Sequence, residues 1–171
     1  RYGWQGKAER EGFLVAGPWD ESSQMHIMAD TVDKKIAQTH ATILADISPK
    51  TEVFIAEPEG YDETWASIRA GKKLKADISR KTLCDALATP TPGDITFVIM
   101  QRLVKGGFTL CDHEVAETVA WAFKYLKLVL EPGGAIALAA VYHRKLETKG
   151  RTIGLTLSGG NVDPSLFATI L

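Results

Sequence analysis

Thr152-Ile153-Gly154-Leu155-Thr156-Leu157 is a short stretch without charge, and Ser158-Gly159-Gly160-Asn161-Val162-Asp163-Pro164 follows it directly. A run of this length reads as a strand covered on both faces, as in a parallel sheet. Ser158-Gly159-Gly160 reads as a tight loop, and Asp163-Pro164 as an N-cap with proline at the first helical position. Two adjacent glycines let a flat ring or a phosphate approach the backbone without meeting a Cβ, which places Ser158 to exchange a hydrogen bond with that ligand. A glycine turn with no ligand is the alternative this stretch alone leaves open.

Upstream, Val53-Phe54-Ile55-Ala56 repeats the buried-strand pattern, and a turn over Pro58 to Gly60 follows it. Asp62 is placed to cap a helix carrying Trp65 and Ile68 that ends at Gly71. Gly93 to Val104 predicts another helix, with Asp94 as its cap and Phe97, Met100 and Leu103 spaced by three. The longest helix is expected from Asp112 to Leu130, with Val115, Val119, Ala122, Phe123, Leu126 and Val129 on one face. Glu131-Pro132-Gly133-Gly134 ends it, and an alanine-rich helix restarts over Ala135 to Leu146, so the two are expected to form a buried pair. From Asp30 to Ile47 an amphipathic helix is expected, with Val32, Ile36, Ile43 and Ile47 near one face and Ser48-Pro49 closing it.

Residues 1–29 show neither apolar period and are expected to be an irregular arm, leaving 30–171 as a single α/β domain. Strand, helices, strand, glycine loop, helix predicts an open, mostly parallel sheet flanked by helices. Ligands of such sheets sit beyond the carboxyl ends of strands, here Glu57 to Gly60 and Ser158 to Asn161.

The composition suits one soluble domain with a core of its own: 171 residues, 45% of them hydrophobic, with 20 basic against 21 acidic side chains. A balanced charge gives no electrostatic reason to expect nucleic acid or an anionic membrane as partner. The longest apolar run, Ala135 to Tyr142, is far short of the roughly 18 to 20 residues that cross a bilayer. Arg1-Tyr2-Gly3-Trp4 has no apolar run of the kind a secretory signal needs, and Cys84 and Cys111 are the only cysteines, so the expectation is a reduced, cytoplasmic protein with two packing thiols. His26, His40, His113 and His143 lack metal-ligand spacing, His113 being expected in solvent, and Lys72-Lys73-Leu74-Lys75 reads as a solvated face.

Several separated motifs fall in one order: Ile55-Ala56-Glu57-Pro58-Glu59-Gly60, Cys84-Asp85-Ala86-Leu87, Gly93-Asp94-Ile95-Thr96-Phe97, Leu126-Lys127-Leu128-Val129-Leu130-Glu131-Pro132-Gly133-Gly134-Ala135 and the serine loop, with Pro90-Thr91-Pro92-Gly93-Asp94 as a further detail. From Thr51 to Leu171 the chain resembles the carboxyl-terminal part of the large domain of the serine/threonine dehydratases, pyridoxal-phosphate enzymes of the tryptophan-synthase-β fold type. The resemblance implies an ammonia-lyase that eliminates the β-hydroxyl of a small amino acid to give a 2-oxo acid and ammonia, working as a homo-oligomer, by family habit a dimer. It implies that Ser158 hydrogen-bonds the pyridine nitrogen of the cofactor, with Gly159 and Gly160 allowing the ring to approach. In related racemases the residue matching Asn161 lies at a nucleotide effector site. Glu57, Tyr61 (through its carbonyl) and Glu63 match positions that bind a divalent cation in several members, and oxygen-only ligands suit magnesium or calcium. A solvated acidic loop is the competing reading. Glu131 is expected to close a helix where the dipole disfavours its charge, which hints at a specific partner.

Three parts of the family pattern are not found in the sequence: the segment with the Schiff-base lysine, the asparagine-histidine segment of the substrate pocket, and the glycine run that cradles the cofactor phosphate. The place for that run is near Val32-Asp33-Lys34-Lys35, whose side chains obstruct a backbone nest and whose aspartate repels phosphate. No catalytic residue is therefore identified. Two readings stay beside the enzymatic one: a non-catalytic α/β fragment or paralogue that folds with or regulates another chain, and a nucleotide-binding domain using Ser158 to Asn161.

Overall fold

The computed structural model describes residues 13–16, 25–29 and 34–171, and the side chains from residue 37 onward. Five strands form one sheet: β1 (Phe13–Ala16), β2 (Met25–Ala29), β3 (Glu52–Pro58), β4 (Val104–Leu110) and β5 (Thr152–Thr156). Their order is β1-β5-β2-β3-β4. β5, β2, β3 and β4 run parallel, and β1 is antiparallel to β5. The open, mostly parallel sheet is as expected. Two of its strands, however, lie in the stretch expected to be irregular, and β4 occupies a stretch left without structure between two helices.

Six helices accompany the strands among the described residues: α1 (Lys34–Ile47), α2 (Glu63–Ala70), α3 (Asp94–Leu103), α4 (Asp112–Trp121), α5 (Pro132–Tyr142) and α6 (Pro164–Ile170). Alternation along β3 separates two layers. Ile55 meets Ala37 of α1 and Met100 of α3, with Trp65 and Ile68 of α2 alongside, and Val53 meets Ala41 and Leu44. Ala56 faces the other way, into the larger core built by α4 and α5. Every residue from Pro132 to Ala140 is buried, so α5 is the central helix of that layer, under β3, β4 and β5 and over α4. The expected buried pair is therefore present.

Several local expectations are corrected. The buried face of α1 is Ala37, Ala41 and Leu44, spaced by four and three, while Ile43 and Ile47 are exposed. Val32 and Ile36 lie outside the residues whose side chains are described. The helix from Asp112 gives way at Ala122 to a π-helical turn (Ala122–Leu126) and stops at Lys127, whose φ of 61° is left-handed. Glu131 thus ends no helix; it stands at the N-cap position of α5, where the dipole favours a carboxylate. At the start of α3 the N-cap position is Gly93, not Asp94, which instead pairs with Lys73 at 2.6 Å. Asp163 does cap α6, accepting the amides of Ser165 and Leu166 at 2.9 Å each. No helix among the described residues is long and apolar enough to cross a membrane.

Candidate functional site

Because β2, β3, β4 and β5 are parallel, their carboxyl ends share one edge of the sheet. The serine loop leaves β5 at that edge, and the Glu57 turn leaves β3 on the other side of β2, so both sequence-predicted ligand places lie where such folds bind ligands. Glu59 N–H donates to the carbonyl of Leu110 at 2.8 Å, tying the β3 turn to the end of β4.

Ser158 is half-buried. The turn it opens is locked to the corner before α5. Glu131 N–H donates to the carbonyl of Gly159 at 3.0 Å. A Cβ at Gly134 would lie 2.6 Å from that same carbonyl oxygen, and a Cβ at Gly160 would lie 2.9 Å from the carbonyl of Val129. At Gly159 a Cβ would fall 2.1 Å from Oε1 of Glu131. Gly134 and Gly160 are therefore required by backbone packing within the protein, whereas a Cβ at Gly159 would meet only the Glu131 side chain, and both causes are separate from ring approach. Glu131 is the member of this corner that sequence reasoning misplaced. Pro132 at the first helical position was the available signal that a helix starts there. Burial, and then the neighbouring Asp85, push its carboxyl above the usual glutamate range.

The second place is built around a buried carboxylate. Glu57 is 2% exposed, and its Oε2 accepts the amide of Trp65 at 2.8 Å and its Oε1 that of Thr64 at 3.2 Å. Glu57 thus serves the start of α2, and Asp62, at the N-cap position, makes no side-chain capping bond. Glu63 is buried as well, its Oε1 accepting from the Thr89 hydroxyl at 3.2 Å. Tyr61 donates its phenol to the carbonyl of Arg80 at 2.8 Å, and the Arg80 side chain crosses Gly60, whose φ of 86° requires glycine. Among the described residues no group of three or more His, Cys, Asp or Glu side chains is arranged to hold a metal ion.

The remaining expectations resolve simply. Cys84 is buried and Cys111 half-buried, at the N-cap of α4, where its amide donates to Glu114 at 3.0 Å. His113 is exposed beside Glu117. An open groove of about 500 Å³ between α4 and α6, walled by Trp121, Tyr125, Tyr142, Leu166 and Ile170, contains none of the predicted site residues.

Comparison with known proteins shows the family of the chain. The family model described as "Pyridoxal-phosphate dependent enzyme" matches residues 37–159. The chain is 33% identical over 120 residues to the β-hydroxyaspartate dehydratase of Paracoccus denitrificans, covering 70% of this chain and 38% of that protein. It is 29% identical over 128 residues to the L-threonine ammonia-lyase of Thermotoga maritima, covering 75% of this chain and 31% of the relative. Among solved structures, maize serine racemase superposes with a TM-score of 0.75 at 27% identity, covering 86% of this chain and 47% of that one. A threonine deaminase from T.th. gives the same TM-score at 29% identity over 94% of this chain and 54% of that one. The chain spans about a third to a half of the relatives it matches. With the family model covering most of its length and the sheet edge built as described, the chain belongs to the pyridoxal-phosphate dependent enzyme family.

Proposed function

We propose that this polypeptide is part of a pyridoxal-phosphate-dependent ammonia-lyase of the threonine/serine dehydratase type, acting on small hydroxy amino acids as a homo-oligomer or with a complementing chain. The observation that carries the reading is the Ser158 turn, half-buried at the carboxyl edge of the parallel strands and braced by three tightly packed glycines. A hydroxyl held there fits the ring nitrogen of the cofactor. The phosphate side fits poorly, because the sequence reads Val32-Asp33-Lys34-Lys35, the two lysines opening α1, where the family has glycines. When bound, pyridoxal phosphate supplies the electron sink for elimination. Toward it, Ser158 would donate a hydrogen bond without imposing a charge, the 158–160 turn would fix that donor in place, and α5 would close the site from beneath against water.

Magnesium or calcium at Glu57, Glu63 and the Tyr61 carbonyl belongs to the same proposal. Two buried carboxylates on one turn form an oxygen-only donor set that suits a hard cation. Glu57 would then hold the cation and the start of α2 together.

Titrating the isotopically labelled chain with pyridoxal phosphate while following its amide resonances tests the reading. Shifts centred on Ser158 to Asn161 and Glu131 are expected, with no borohydride-reducible visible band, because the lysine-bearing segment is not found. Shifts elsewhere on a folded chain, with that turn unmoved, would overturn it.

One observation favours the non-catalytic reading as a second possibility. Ile47 and Ile95, on the packed helices α1 and α3, are 72% and 74% exposed, with Ile43 and Val98 also exposed on the same two helices. That much apolar surface suits contact with another chain. Light scattering on the eluting protein decides: a stable monomer counts against an interaction module.

A further inference from the structure

The corner that braces the serine loop contains an ionisable group whose placement the elimination chemistry does not explain. Glu131 sits at the N-cap of α5, its amide bonded to the carbonyl of Gly159 at 3.0 Å and its carboxyl group lying directly over the Cα of Gly159. Asp85, exposed and accepting the Ala86 amide at 2.8 Å, belongs to the turn Asp85–Leu87, which packs against the same helix start: a Cβ at Gly133 would meet Leu87 at 3.5 Å and Ala86 at 3.8 Å. The other elements around the corner bring little charge to it. The serine turn contributes a hydroxyl, the start of α5 has proline and glycines, and Lys127 points back to donate to the carbonyl of Lys124 at 2.8 Å. Glu131 therefore lies between the backbone of the serine turn and the amino end of α5, whose dipole favours its charge, with the charge of Asp85 acting against it from the neighbouring turn.

We propose that Glu131 is a positioning residue of the ring-facing turn, its carboxyl group the wall against which Gly159 packs, so that it fixes where Ser158 presents its hydroxyl. The proposal rests on the reading that Ser158 faces the cofactor ring. Desolvation, reinforced by Asp85, disfavours the ionised form. A neutral carboxyl can lie against Gly159 beside Asp85 with no repulsion. Once ionised it carries the same sign of charge as Asp85, which favours a looser turn or an outward swing of the side chain. The position of the Ser158 hydroxyl is then coupled to proton occupancy at a residue that does not itself contact the ring nitrogen.

The test needs no cofactor. In the labelled chain, the Glu131 carboxyl carbon and the Ser158 and Gly159 amides are followed from about pH 4 to about pH 8, spanning the carboxylate range and its buried tail. The carboxyl carbon is expected to titrate above the ordinary 4.5, with both amides moving at the same midpoint. Asp85→Asn should lower that midpoint, and Glu131→Gln should abolish the transition at both amides. A Glu131 carboxyl titrating at the ordinary value, or amides that do not follow it, would overturn the proposal. If Glu131→Gln fails to fold, the carboxyl carbon and the Asp85→Asn shift still decide. Failure here leaves the pyridoxal-phosphate titration untouched, so the two readings fail separately.

Discussion

The carboxylate of Glu57, at the end of β3, holds the amide of Trp65 at 2.8 Å, so one buried side chain fixes the direction in which α2 leaves the sheet. The root of the Trp65 side chain then packs against Gly107 of β4. Strand, helix and neighbouring strand are locked through two contacts at the carboxyl edge of the parallel strands.

Glu57→Ala removes the acceptor of two amides at the start of a helix whose Thr64 is fully buried. Losing such a cap and stranding a buried donor costs roughly 2–3 kcal/mol. Glu57→Gln keeps one carbonyl acceptor and should cost about half as much. Urea unfolding of both variants measures the difference. Equal stability of wild type and the alanine variant would remove the capping role.

Gly107→Ala should destabilise the chain, because its Cβ would lie 2.6 Å from the Trp65 ring, inside any real contact. Over-packing of this kind costs about 1–3 kcal/mol. Gly106→Ala meets the Phe54 ring at 3.0 Å and should cost less. Shrinking the ring with Trp65→Leu should recover part of the Gly107→Ala loss, a coupling that a double-mutant cycle in urea measures.

The same contacts explain which parts of the fold were legible in the sequence. β5, the Ser158 turn and the Asp163 cap are written in adjacent residues and were readable. β4 was not, because Lys105-Gly106-Gly107 interrupts its apolar run, and those glycines are explained only by Phe54 and Trp65, which are distant in sequence. The face of α1 was misread because bulky isoleucines outweighed Ala37 and Ala41, whose small size is what lets α3 and the sheet approach. Of the site, Ser158 and its glycines were legible as a turn. Glu131 was not legible as their brace, since its partner Gly159 is brought to it only by the fold.

Acid should weaken the α4 end of the structure. Burial pushes the Glu114 carboxyl up, but the Lys145 ammonium at 2.6 Å and the Cys111 amide outweigh it, leaving the carboxyl below its ordinary 4.5. A group held lower in the folded state than in the unfolded one contributes stability that is present above 4.5 and lost as pH falls through the folded value. Lys145→Met should therefore shrink the acid-side loss in a series of thermal unfolding curves, and identical pH dependence in wild type and variant would refute the pairing.

Gly134→Ala decides whether the serine turn is rigidly keyed to α5. Alanine is intrinsically better than glycine inside a helix by about 1 kcal/mol, so an unobstructed position would gain stability. Here the added Cβ would sit 2.6 Å from the Gly159 carbonyl oxygen and 2.8 Å from its nitrogen, both backbone atoms in a turn that is itself pinned by Glu131. Neither side can yield cheaply, and the over-packing cost of about 1–3 kcal/mol should outweigh the helical gain. Gly159→Ala meets a side chain instead, the Glu131 carboxyl at 2.1 Å, which can rotate outward. The expected order is thus a larger loss of melting temperature for Gly134→Ala than for Gly159→Ala, with the Ser158 amide resonance displaced in both. If Gly134→Ala instead raises the melting temperature and leaves Ser158 unmoved, the turn is free of the helix and the bracing of the hydroxyl fails with it.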